Sequence, residues 1–192
     1  MSSKPIKRLT AAQINAGVEA AELEYVTALG RVAHSWNHLH EALGSLFAFV
    51  LSKPIKTVAP IWYSTNNDRA QREMLRAAIA KSEVLNDSQR KDIIWLLNAT
   101  DRLANQRNSA IHAPCSFAIH EPTQTIVLHA HFYHGNPRAD DLLGKDILKE
   151  FAWYRARSET LKQFSHGIGA SLNVYSRRPW PERPKLPELG QS

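Results

Sequence analysis

A chain of 192 residues, 43% hydrophobic and 22% charged, is long enough to bury one sizeable core without staples. No apolar run approaches the roughly 20 residues that a membrane-crossing helix needs, and the start MSSKPIKRLTAAQ lacks the apolar segment of a secretory signal. The single Cys115 has no internal disulfide partner, so the expected setting is a reducing cytoplasm, with no membrane as partner.

The net charge of +6 sits at the ends. Lys4, Lys7 and Arg8 stand without an acid, and Arg177, Arg178, Arg183 and Lys185 face only Glu182 and Glu188. Residues 11–176 therefore carry a single net positive charge. Basic ends can attract RNA or anionic surfaces, and they also serve simply as solubilising termini. Residues 1–18 read as a basic, flexible arm, 19–176 as one domain, and 177–192 as a Pro-rich tail.

The first long helix is expected over 19–51. Val26, Leu29, Val32, Trp36, Leu39, Leu43, Leu46 and Val50 recur there at three- and four-residue steps. The stretch Ser52-Lys53-Pro54 ends it, and VAPIWYST reads as a loop with aromatic anchors. A second helix starts after Thr65 or Asn66, with Ala70, Met74, Leu75, Ala78 and Ile79 inward. Asn86 or Asp87 caps a third, whose inner positions are Ile93, Leu96, Leu97, Thr100, Leu103, Ala104, Arg107 and Ile111. Pro114 disfavours helical geometry at Ala113, so this helix should end close to His112.

The period then changes. In TQTIVLHAHFY, Ile126, Leu128, Ala130 and Phe132 share one face, and Val127, His129, His131 and Tyr133 share the other. With SFAIH and the turn EPTQ before it, this predicts a β-hairpin over about 116–133, followed by the loop HGNPRADD. A last helix spans about 146–174, with Ile147, Phe151, Tyr154, Leu161, Ile168 and Leu172 inward. The tail RRPWPERPKLPELGQS reads as extended or disordered and as burying little. The expected fold is all-α: a bundle of four main helices with a small hairpin between the third and fourth.

One feature conflicts with plain packing. Arg107 falls on the apolar stripe of the third helix, with Asn108 directly after it and His112 five residues on. A chain this rich in Arg and His contains about one such pair by chance at any fixed spacing. The long helix before the pair and the proline just beyond it raise it above chance. The candidate catalytic residues are Arg107, Asn108 and His112. Arginine's planar fork grips phosphate oxygens and stays charged. Histidine titrates near neutrality and can act as base or acid. Asn108 can orient a phosphate or an imidazole.

The stretch RNSAIH, Arg107 to His112, resembles the R-N-x-x-x-H form of the motif of HEPN domains, all-helical bundles found in prokaryotic toxins and RNA-processing enzymes. The resemblance implies a metal-independent endoribonuclease or ribonuclease toxin, with no cofactor. RNA cleavage would proceed by attack of the 2′-hydroxyl on the adjacent phosphorus, at a site usually completed across a homodimer. It implies RNA and a second copy as partners, with an antitoxin or another protein as a further one.

Geometry sets a condition on that chemistry. Five residues of unbroken α-helix turn through about 500°, so Arg107 and His112 would diverge by about 140°. A break near His112 or a second motif from a dimer would bring such groups together. Two other readings stand beside the nuclease. Arg107 can pair with a buried acid while His112 caps the helix. The bundle can also bind RNA or protein without cutting. Elsewhere, His34, His38 and Glu41 share a face of the first helix at a spacing that can chelate a metal, with a solvated surface as the simpler account. His129 and His131 suit an exposed hairpin face, and Cys115 a small buried thiol.

Overall fold

Thr10 starts the first helix by a capping box: Gln13 N donates to its Oγ1 at 3.3 Å, and its own N–H donates to Gln13 Oε1 at 2.9 Å. The computed structural model describes residues 9–112, 115–120, 122–130, 137–176 and 178–189. From this cap, α1 runs over Ala11–Val50. It starts earlier than apolar periodicity marks, because its first turns are set by the cap and carry little apolar stripe. The arm expected over 1–18 is thus helical from Ala11 onward, and residues 1–8 lie outside the described set. Val32, Trp36, Leu39, Leu43, Leu46 and Val50 are buried as expected. Val26 is 54% exposed, so the expected apolar stripe is not buried along its whole length.

A short helix, α2 (Ile55–Trp62), replaces the loop expected there. Its reason is the burial of Val58 and Trp62. Trp62 packs against Phe47 with ring centroids 5.5 Å apart, and against Gly44. A Cβ at Gly44 would stand 2.9 Å from the Trp62 indole nitrogen, so glycine is needed for this approach.

Asn67 caps α3 (Asp68–Lys81), accepting from the N–H groups of Arg69 and Ala70 at 2.9 and 3.3 Å. Leu75 and Ile79 are buried, but so are Gln71 and Arg72, while Ala70, Met74 and Ala78 are only half-buried. The inner face of α3 is more polar than its apolar residues suggest. Asn86 and Gln89 exchange two hydrogen bonds, both 2.9 Å, at the start of α4 (Asp87–His112). Arg90 donates to the carbonyls of Ile79 and Ser82, closing the end of α3.

The hairpin pairs β1 (Cys115–His120) antiparallel with β2 (Thr125–Ala130), in a register running from Cys115↔Ala130 to His120↔Thr125. Leu128 and Cys115 pack against the helical core. The expected extension through His131 and Tyr133 lies outside the described residues, as does the side chain of His129. One helical turn, α5 (Pro137–Asp140), stands in the expected loop. Asp146 then caps α6 (Ile147–Leu172), which buries Ile147, Phe151, Tyr154, Leu161 and Ile168. The fold is mostly helical with one small antiparallel hairpin.

The tail departs from expectation. Residues 178–189 cross α4 and α6 as an extended strap. Trp180 Nε1 donates to Asp92 Oδ2 at 2.8 Å, and Arg183 pairs with the other oxygen of the same carboxylate. Trp153 Nε1 and Arg157 Nε both donate to the carbonyl of Pro187 at 2.9 Å. Pro181 fits over Gly167, where a Cβ would stand 3.2 Å from its ring. Proline removes backbone N–H groups that would otherwise need partners, so an irregular strand can lie on helices at little polar cost. Deleting residues 178–192 is therefore expected to lower the melting temperature by several degrees. Trp180→Ala alone should remove roughly 1–3 kcal/mol of packing and hydrogen bonding. An unchanged melt for the truncated chain would show that the strap is not held in solution.

Candidate functional site

Arg107 leaves α4 toward α1 and α3 and stacks on Trp36, its guanidinium carbon 4.6 Å from the ring centroid. Its Nη2 lies 3.7 Å from Asp68 Oδ2, an ion pair too long for a hydrogen bond. That carboxylate oxygen is engaged at 2.8 Å by Trp36 Nε1. Trp36 thus holds the acid through its edge and the cation over its face. The Arg107 side chain is 19% exposed, and its Nε has no hydrogen-bond partner among the described residues. Burial pushes the guanidinium below its ordinary value, Asp68 opposes this, and Arg72 adds to it. Arginine starts so high that it stays charged at neutral pH.

A second guanidinium lies deeper. Arg72 Nε donates to Asp101 Oδ1 at 2.6 Å, and Arg76 Nη2 donates to Asp101 Oδ2 at 2.5 Å. Arg72 Nη1 also lies 3.2 Å from His40 Nε2. An arginine can only donate, so His40 Nε2 accepts and the ring proton sits on Nδ1. Nδ1 then donates to Gln71 Oε1 at 3.2 Å. The Gln71 amide nitrogen donates in turn to the carbonyls of Trp62 and Thr65, at 3.2 and 3.3 Å. His40 is thereby a neutral imidazole, pushed below its ordinary value by burial first and by Arg72 and Arg107 next, against the pull of Asp68. The 3.9 Å approach of His40 Nε2 to Asp68 is therefore not an ion pair at neutral pH.

In front of this network lies a hollow of about 340 Å³, lined by Asn66, Asn67, Asp68, Arg69, Arg72, Ala104, Arg107 and Asn108. The lining carries three arginines against one acid, plus three amides. Its chemistry suits an anion with hydrogen-bonding edges.

His112 is not part of it. The helix α4 continues through His112, with no break before it, and His112 is exposed. The divergence of about 140° from Arg107 therefore stands within one chain. Asn108 and His112, four apart, are neighbours on one helix face. The fold thus brings Arg107 and Asn108 to the hollow and leaves His112 one turn past Asn108. The structural ion-pair reading holds in part: Arg107 does meet an acid, but Asp68 is 45% exposed, and the guanidinium Nε has no hydrogen-bond partner among the described residues.

Sequence reading missed Trp36, His40, Asp68, Gln71, Arg72 and Asp101 as site residues. The available signal was Asp68, Gln71, Arg72 and Leu75 at three- and four-residue steps, a second stripe on α3 beside the apolar one.

The metal alternative finds little support in the geometry. The His34 and His38 rings lie 4.0 Å apart, but Arg31 and Arg155 line the same groove. No three His, Cys, Asp or Glu residues converge on a metal position among the described residues. Glu41 does not line that groove.

No family model, curated protein or solved structure matches the chain.

The His40 tautomer carries a pH consequence. The unfolded chain takes up a proton at the ordinary value of 6.5, and the folded chain only below it. Below 6.5 the unfolded state binds more protons, so stability falls as pH drops through 6.5 and levels off beneath the folded value. Melting temperature measured from pH 7.5 to 5 should decline over that window, and His40→Gln should flatten the decline. An equal slope in the variant would remove His40 from the network's acid response.

Proposed function

We propose that the Arg107 hollow binds the phosphodiester backbone of single-stranded RNA, and that a homodimer cuts it without metal in the manner of HEPN ribonucleases. The observation that carries this reading is a half-buried guanidinium, stacked on Trp36 and with its Nε unpaired among the described residues, at a hollow that also receives Asn108, Arg69 and Arg72. Arg107 would take the non-bridging phosphoryl oxygens and stabilise their growing charge. Asn108 would fix the phosphate by its amide. His112 from the second copy would move the proton of the 2′-hydroxyl as it attacks phosphorus, or protonate the departing 5′-oxygen. The products would be a 2′,3′-cyclic phosphate and a free 5′-hydroxyl. A toxin role with an antitoxin partner is the biological form this activity would take.

A second reading rests on His112. Because it faces away from Arg107 on an unbroken helix, a single chain is suited to hold RNA without cutting it. The helical bundle would then be an RNA-binding module.

The deciding experiment uses a mixed-sequence single-stranded RNA in EDTA, with cyclic phosphate ends assayed. Cleavage is expected to persist in EDTA, and His112→Ala is expected to reduce it by about 10² to 10⁴. His112 is exposed, so the variant should melt as the wild type does. Arg107→Ala should be inactive as well. Mixing the Arg107→Ala and His112→Ala chains should restore about a quarter of wild-type activity, because half the dimers are mixed and each mixed dimer regains one intact site. Activity that Zn²⁺ restores after EDTA removes it would sink the metal-free mechanism and promote His34 and His38. Saturable RNA binding with no cleavage at any protein concentration would select the binding module.

A further inference from the structure

A second polar hollow, of about 360 Å³, lies behind the motif turn of α4. Gln106 and Ser109 contribute from α4, Asp141 and Lys145 from the α5–α6 connection, Glu150, Trp153 and Tyr154 from α6, and Leu189 from the strap. Glu150 is the member that packing does not explain. It is 3% exposed, Tyr154 donates to its Oε2 at 2.8 Å, and its Oε1 has no hydrogen-bond partner among the described residues. Lys145 lines the same hollow but forms no ion pair with Glu150 or Asp141. A carboxylate this deep needs a partner for its second oxygen, or its lost hydration is not offset.

The surroundings specify the partner. Asp141 accepts from Ser109 Oγ at 3.3 Å and keeps its second oxygen free of the hydrogen bonds described. Gln106 adds an amide, and Trp153 and Tyr154 add aromatic rings. Trp153 already takes one cation on its ring, the Arg157 guanidinium at 4.2 Å. Two carboxylates, an amide oxygen and π faces select a cation. Fewer than three His, Cys, Asp or Glu ligands converge here among the described residues, which disfavours a divalent metal. An ammonium group has three donors and one charge, matching Glu150, Asp141 and Gln106. The volume leaves room for a short carbon chain behind it.

We propose that this hollow binds a small amine through its primary ammonium group. The proposal stands apart from the RNA reading, since none of its residues belongs to the Arg107 hollow. Butylamine is the probe, with butanol as its uncharged counterpart, added to the full-length chain at fixed ionic strength in thermal melts and calorimetry. A saturable rise in melting temperature is expected with butylamine and none with butanol. Glu150→Gln keeps an acceptor for Tyr154 and should abolish the rise. Asp141→Asn, at an exposed position, should weaken binding on the order of tenfold, and it decides alone if Glu150→Gln does not fold. No rise in the wild type would mean that Lys145 or a water meets Oε1, and would overturn the proposal. Equal rises in all three proteins, or the same saturable rise with MgCl₂, would overturn it as well.

Discussion

One guanidinium group lies inside the helical core and a second is half-buried beside it, and the packing of α1, α3 and α4 follows from keeping them charged. An arginine cannot escape burial by releasing its proton, so the fold must bring anions and π faces to it. Arg72, 4% exposed, receives one side of the Asp101 carboxylate, whose other side takes Arg76. Arg107 receives Asp68 and the face of Trp36. Trp36 is the shared element, because Arg72 also lies 5.9 Å from its ring. This places Asp68 and Arg72 one turn apart on α3, both aimed at the Trp36 turn of α1. A neutral His40 completes the arrangement, since a third cation in the same space would repel both arginines.

The candidate site inherits its shape from this core. Gln71 holds His40 with one end of its amide and the carbonyls of Trp62 and Thr65 with the other. The segment between α2 and α3 is therefore tied to the buried network, and that segment supplies Asn66 and Asn67 to the hollow. Trp62 anchors its near end by filling the space over Gly44. A substitution at Gln71 or Gly44 touches no ligand, yet it would move two lining residues. Positioning of this kind is how a polar site on a helical scaffold holds its geometry.

Much of this was legible in the sequence, and the gaps have physical causes. Apolar spacing marked α1, α4 and α6, and Pro114 marked the end of α4 at His112. Alternation marked the hairpin. The inner face of α3 was not legible, because Gln71 and Arg72 are buried by partners from α1 and α4 that no local pattern reveals. The start of α1 at Ala11 was missed because a cap, not an apolar stripe, sets it. The docked strap was missed for a related reason. Proline content describes a backbone that cannot form regular structure, not whether Trp180 and Arg183 find Asp92. Arg107, Asn108 and His112 stood out as a motif, but their division between the hollow and the exposed helix end depends on the phase of α4, which only the folded chain displays.

That phase has a consequence for what one chain can do. The side chain of Arg107 is pinned on Trp36 and cannot swing around α4 toward His112 without losing the stack and the Asp68 contact. His112, at the exposed end of the helix, has no such restraint among the described residues. The rigid half of the motif therefore stands at a hollow that a single chain lines with three arginines and three amides. Moving a proton there would require an imidazole at the hollow, and the chain's own His112 stands one turn past Asn108 and does not line it. The position of Arg107 thus follows from the core, while that of the exposed His112 does not.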